Sequence, residues 1–140
     1  MQALPMNRLI PLALALLAAP AAAQPVPNSA PNSAPRLSLA QEAALRCSAT
    51  FAKVASDQAR KVPGWERYPA LGTRGREFFV RTTAQLMDQT GVSRETVVSL
   101  LKVRYDELQA RAARSRDPVG MVGDAARACL PLLDAEVPLR

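Results

Sequence analysis

Apolar residues along this chain recur at the three- and four-residue steps of a helix, and no stretch alternates apolar and polar long enough to make a strand. Behind Ser38, the positions Ala40, Ala44, Cys47, Phe51, Val54 and Gln58 follow one another at steps of 4, 3, 4, 3 and 4, all but the last apolar or small. Ser38-Leu39-Ala40-Gln41 has the form of a capping box, with Ser38 as the N-cap and Gln41 as its partner. This first helix is predicted to stop before Pro63-Gly64.

A second helix is predicted from about Thr73 to Thr90, with Phe79, Thr83, Leu86, Met87 and Thr90 on its inner face. Gly91 suits a left-handed C-terminal residue, and Ser93 suits the next N-cap. The third helix, about Arg94 to Arg114, carries Val97, Val98, Leu101, Tyr105, Leu108 and Ala112, with Arg111 and Arg114 complementing the helix dipole in its last turn. Asp117-Pro118 is a helix start, and Val122, Ala125, Cys129 and Leu132 mark the fourth stripe. Pro131 is expected to kink or end that helix.

Four amphipathic helices with short connections predict an all-α fold, an antiparallel four-helix bundle spanning residues 38–136. Cys47 falls on the first stripe and Cys129 on the fourth, and in an up-down bundle those helices are neighbours. The expectation is a structural Cys47–Cys129 disulfide. Redox enzymes place their cysteines close together, as Cys-x-x-Cys, and no such motif is present.

The N-terminus reads as a secretory leader over residues 1–23. Arg8 supplies its positive charge, Leu9 to Ala19 its apolar core, and Ala21-Ala22-Ala23 the small residues at a cut before Gln24. The apolar run has 11 residues and contains Pro11, whereas a membrane span needs ~20. The mature chain is therefore expected to be periplasmic or secreted, without a transmembrane helix, in a compartment that permits disulfides. Residues 24–37 form a linker in which Pro-Asn-Ser-Ala occurs twice, from Pro27 and from Pro31.

The chain carries a formal charge of +6, which falls to +5 without Arg8. A basic balance suits an anionic polymer, a membrane surface or nucleic acid. Isoleucine occurs only at Ile10 and lysine only at Lys53, Lys61 and Lys102, so the arginine excess also fits a general compositional habit. There is no histidine, which rules out a Ser-His-Asp triad, a Cys-His pair and a His-ligated metal. Two cysteines are too few for a zinc site. No cofactor or metal is predicted, and the commonest general base near neutral pH is missing. Of the acidic residues weighed as a catalytic pair (Glu66, Glu77, Asp88), Glu77 and Asp88 lie three turns apart on one helix, ~16 Å, too far to act across one bond.

Two features are candidates for recognition. The loop from Pro63 to Thr73 holds Trp65 and Tyr68 among arginines, and Trp65, Tyr68, Arg67, Arg74 and Arg76 make up the candidate binding surface. The competing reading of the same loop is that Trp65 and Leu71 plug an open end of the bundle, which small cores need. The second feature spans Thr83 to Leu101, which resembles the helix-turn-helix family at Gly91, Val92, Ser93, Val97 and Leu100. That resemblance implies Arg94 and Thr96 as base contacts in a major groove. The stretch departs from the family in having Met87 where a small residue is usual, and in the length of the preceding helix. A helix that ends on Gly and restarts on Ser is also what any two-helix corner requires.

The sequence thus predicts a small exported helical protein engaged in non-enzymatic binding in the cell envelope, its partner a client protein or an anionic surface or polymer. The alternatives are a helix-turn-helix-like DNA-binding regulator and a carboxylate-based hydrolase.

Overall fold

A computed structural model describes residues 35–139; the predicted leader, and the linker as far as residue 34, lie outside the described residues. Four helices follow in order: α1 (Leu39–Ala59), α2 (Gly72–Thr90), α3 (Arg94–Arg114) and α4 (Pro118–Glu136). Among the described residues there is no strand. The fold is an antiparallel four-helix bundle closed by the Cys47–Cys129 disulfide, with S–S 2.02 Å and Cα atoms 5.4 Å apart. No helix among the described residues is long and apolar enough to cross a membrane.

Local chemistry sets the helix ends. The Ser38 hydroxyl accepts from the Gln41 N–H and the Gln41 side chain accepts from the Ser38 N–H, completing the capping box. At the other end of α1, Lys61 N–H donates to the Gln58 carbonyl and Val62 N–H to the Asp57 carbonyl. This is the Schellman pattern, and it places Lys61 in the left-handed region (φ 57°) that glycine usually takes. Gly91 (φ 69°) closes α2, Ser93 caps α3 through the Thr96 N–H, and Asp117 caps α4 through the Gly120 N–H.

Every pair of helices is in contact, and α1 touches the other three most extensively. It therefore runs through the middle of the fold. Eight of its residues are buried, including Leu45, Ser48, Thr50 and Asp57, which lie off the predicted stripe, whereas Ala40 on that stripe is exposed. A central helix is enclosed on several sides, so its apolar stripe alone does not define its buried surface.

Helices α1 and α2 run antiparallel, with Gln41 bonded to Gln89, Ser48 to Thr82 and Gln58 to the Leu71 backbone along their length. Their contact corrects the predicted inner face of α2. The core takes Gly75, Phe78, Thr82 and Leu86, while Phe79 is 37% exposed and Thr83 and Met87 are only half-buried. Three interactions set that rotation. A Cβ at Gly75 would lie 3.1 Å from the Phe51 Cβ, so glycine lets the helices approach there. The Phe78 ring meets Phe51 edge-on, and the Thr82 hydroxyl pairs with Ser48 at 3.1 Å.

Smaller corrections follow the same logic. On α3, Val97, Leu101, Leu108 and Ala112 are buried as predicted, but Val98 is 56% exposed and Tyr105 half-buried. On α4 the stripe is Val122, Ala126, Cys129 and Leu133, so Ala125 and Leu132 sit one position off the buried line. Pro131, expected to kink or end α4, does not end it: the helix continues to Glu136. Proline withholds the N–H that would bond the Arg127 carbonyl and crowds that carbonyl with its ring, but burial of Leu133 and Val137 holds the last turn against the core.

Candidate functional site

The loop between α1 and α2 turns its aromatic side chains inward. Trp65 is 3% exposed and Leu71 1%, and both belong to the main core cluster with Phe51, Val54 and Leu133. Tyr68 packs on Trp65 with ring centroids 5.0 Å apart. Its phenol lies where a Cβ on Gly123 would fall, so glycine there lets the ring rest on the α4 backbone. The Gln58 side chain clasps the loop, donating to the Pro69 carbonyl at 2.8 Å and accepting from the Leu71 N–H at 3.0 Å. The indole N–H of Trp65 is buried without a hydrogen-bond partner among the described residues.

The arginines assigned to that surface have separate roles. Arg67 is exposed and stacks over the Tyr68 ring at 5.4 Å, with Arg127 over the same ring at 5.3 Å. Arg74 is a strut from α2 to the end of α4, donating to the Val137 carbonyl at 2.7 Å and pairing with Asp134 at 2.6 Å. Arg76 is exposed and forms no ion pair among the described residues. The five candidates therefore do not gather on one open face: Trp65 and Tyr68 are core, Arg74 is structural, and Arg67 and Arg76 remain exposed. The cause is the shortage of large side chains in a 4% aromatic chain, which draws Trp65 and Tyr68 inside.

The two residues implied by the helix-turn-helix resemblance are placed differently. The Thr96 hydroxyl lies 3.2 Å from that of Ser93, within the α3 cap, and Arg94 lines the groove between α2 and α3. The acidic residues weighed for catalysis are also apart in role. Glu66 accepts from the Gly64 N–H in its own loop, Glu77 pairs with Arg81 at 2.6 Å, and Asp88 is exposed near the end of α2.

Part of what the rotation of α2 leaves outside is an apolar strip. Phe79 (37% exposed), Val80 (58%) and Val98 on α3 face solvent together around a hollow floored by Val97 and Leu101. A second hollow lies across Phe79, between α1 and α2, lined by Ala52, Ala55, Ala59, Gly72 and Gly75. Phe79 borders both. Each hollow has one cation on its wall, Arg94 in the first and Arg76 in the second, and no carboxylate lines either.

Sequence reasoning placed Phe79, Thr83 and Met87 on the core side and so passed over this face. The available signal was the adjacent pair Phe78-Phe79: two large apolar residues 100° apart on one helix cannot both sit at the centre of a narrow buried stripe.

No protein-family model matches this chain, and neither a curated protein nor a solved structure is significantly similar to it. The fold and the surface define a class, a small all-α domain linked by one disulfide, with an apolar, cation-edged face on its second helix.

Proposed function

We propose that this protein is an exported, non-enzymatic binding protein of the cell envelope, and that the outer face of α2 is where a partner protein sits. One observation supports the location above the rest: Phe79 and Val80 stand in solvent on a helix that already buries a full stripe elsewhere, and Val98 of α3 stands beside them. Apolar side chains grouped in this way beside concave ground mark interaction surfaces. The leader-like N-terminus and the disulfide support the compartment.

The test has two parts. Intact mass of the protein from fractionated cells, without reductant, is expected to show an envelope species starting at Gln24 and lacking two hydrogens. A photo-crosslinking amino acid in place of Val80 is then expected to capture a partner in intact cells, while the same group at exposed Gln109 on α3 does not. A full-length cytoplasmic chain, or equal capture from both positions, would defeat this reading.

A further inference from the structure

We infer that the occupant of the α2 face is an acidic amphipathic helix of a partner protein, an inference that rests on the reading of that face as the binding surface. The two hollows beside Phe79 receive its apolar side chains, and Arg94 and Arg76 pair with its flanking carboxylates.

Charge complementarity identifies the occupant. Among the described residues, seven basic residues are held in ion pairs, from Lys53 and Arg60 at Asp57 to Arg127 at Asp124. Arg76 and Arg94 are in none of these, although both line apolar ground. With no carboxylate lining either hollow, the face is a positive frame around an apolar strip. An apolar partner with basic flanks would be repelled, and an acidic one attracted. A second copy of this basic chain brings the same excess positive charge to the contact, so an acidic partner fits better than self-association.

The shape of the face suits a helix. From Gly72 to Met87 it runs 16 residues along α2, or ~23 Å, about four turns of a partner helix. Such a helix presents apolar residues at steps of three and four, which can enter the hollows on both sides of Phe79. Ala52, Ala55 and Ala59 keep the α1 side low enough for a close approach, as Gly72 does at the start of α2.

The probes are three fluorescein-labelled 18-residue peptides: a leucine-striped helix flanked by glutamates, the same stripe flanked by lysines, and the glutamate peptide with its leucines scrambled. Fluorescence anisotropy with the full disulfide-bonded protein is expected to show the glutamate-flanked stripe binding about tenfold more tightly than either other peptide. The double variant R76E/R94E is expected to reverse the preference towards the lysine-flanked stripe. Phe79→Asp is expected to weaken both striped peptides at least tenfold. Val80→Asp, at a more exposed site, takes its place if Phe79→Asp loses helical content.

Equal binding of the two striped peptides, with no response to R76E/R94E, overturns the acidic partner; a loss on Phe79→Asp alone then leaves the α2 face standing as an apolar site. Peptide binding insensitive to both Phe79→Asp and Val80→Asp overturns both. A dimer in sedimentation that Phe79→Asp dissolves, or binding to phosphatidylglycerol vesicles in place of the glutamate peptide, also overturns the inference and names the other occupant.

Discussion

The ring of Phe78 meets the ring of Phe51 edge-on, with centroids 5.3 Å apart and planes at 85°. This pair, with the close approach at Gly75 and the Ser48–Thr82 hydrogen bond, sets the rotation of α2 and so decides which of two adjacent phenylalanines faces the core. Phe78 is 1% exposed and Phe79 37%.

The two residues should therefore differ sharply in stability cost. Phe78→Ala is expected to destabilise by ~3–5 kcal/mol through transfer and cavity losses, and Phe79→Ala by less than ~1 kcal/mol. Urea unfolding followed by far-ultraviolet circular dichroism measures both; equal losses would contradict the observed rotation.

The disulfide joins residues 82 positions apart. Closing a loop of that length in the unfolded chain contributes ~4–5 kcal/mol in the chain-entropy treatment. A Cys47→Ala, Cys129→Ala double variant is expected to lose ~2–5 kcal/mol relative to the oxidised protein, read from the urea midpoint. Reduction of the native protein should give a similar loss.

Acid stability should follow two carboxylates. Burial pushes the Asp57 carboxyl up, but hydrogen bonds from Lys53 and Arg60 outweigh that and hold it below its ordinary 3.8. The Arg104 hydrogen bond holds Glu42 below its ordinary 4.5. Both folded pKa values are depressed, so their contribution is complete above the ordinary values and is lost as pH falls through the folded ones. With no histidine, no side chain has an ordinary pKa between about 5 and 8. Stability is expected to be level from pH 7 to about 5 and to decline below about 4. The pair Glu42→Gln, Asp57→Asn should be less stable at pH 7 and show a shallower decline, measured as urea midpoints against pH.

Lys61 occupies a left-handed position with φ 57° at the end of α1. Relief of the side-chain cost there exceeds the greater freedom of glycine in the unfolded chain, so Lys61→Gly is expected to raise stability by ~0.5–1 kcal/mol. Thermal unfolding monitors the gain; a loss would mean that the lysine side chain has a role of its own.

Tyr68 rests on Gly123, and Trp65 lies beneath it in the core. Gly123→Ala puts a methyl group into the phenol and is expected to cost ~1–3 kcal/mol by overpacking. Because Trp65 is the only tryptophan and is buried, its emission should move to longer wavelength on unfolding. That shift should occur at lower urea in the Gly123→Ala variant.

The sequence by itself determined the helices, their caps and the disulfide. Ser38, Ser93 and Asp117 act through the backbone N–H group three residues on, and Gly91 through its own φ, so local chemistry made each of these boundaries legible. Cys47 and Cys129 were legible because both fall on stripes of helices that a short-connection bundle brings together. Only the tertiary structure decided which apolar residues went inside. α1 is enclosed by three helices, α2 turns to fit Phe78 against Phe51, and Trp65 and Tyr68 fill the core, which decides between the surface and the plug that the sequence left open for this loop. Periodicity identifies an apolar stripe, but helix rotation depends on close approaches between side chains far apart in sequence, such as Gly75 with Phe51 and Ser48 with Thr82. Those contacts leave Phe79 and Val80 in solvent, and the candidate site follows from them.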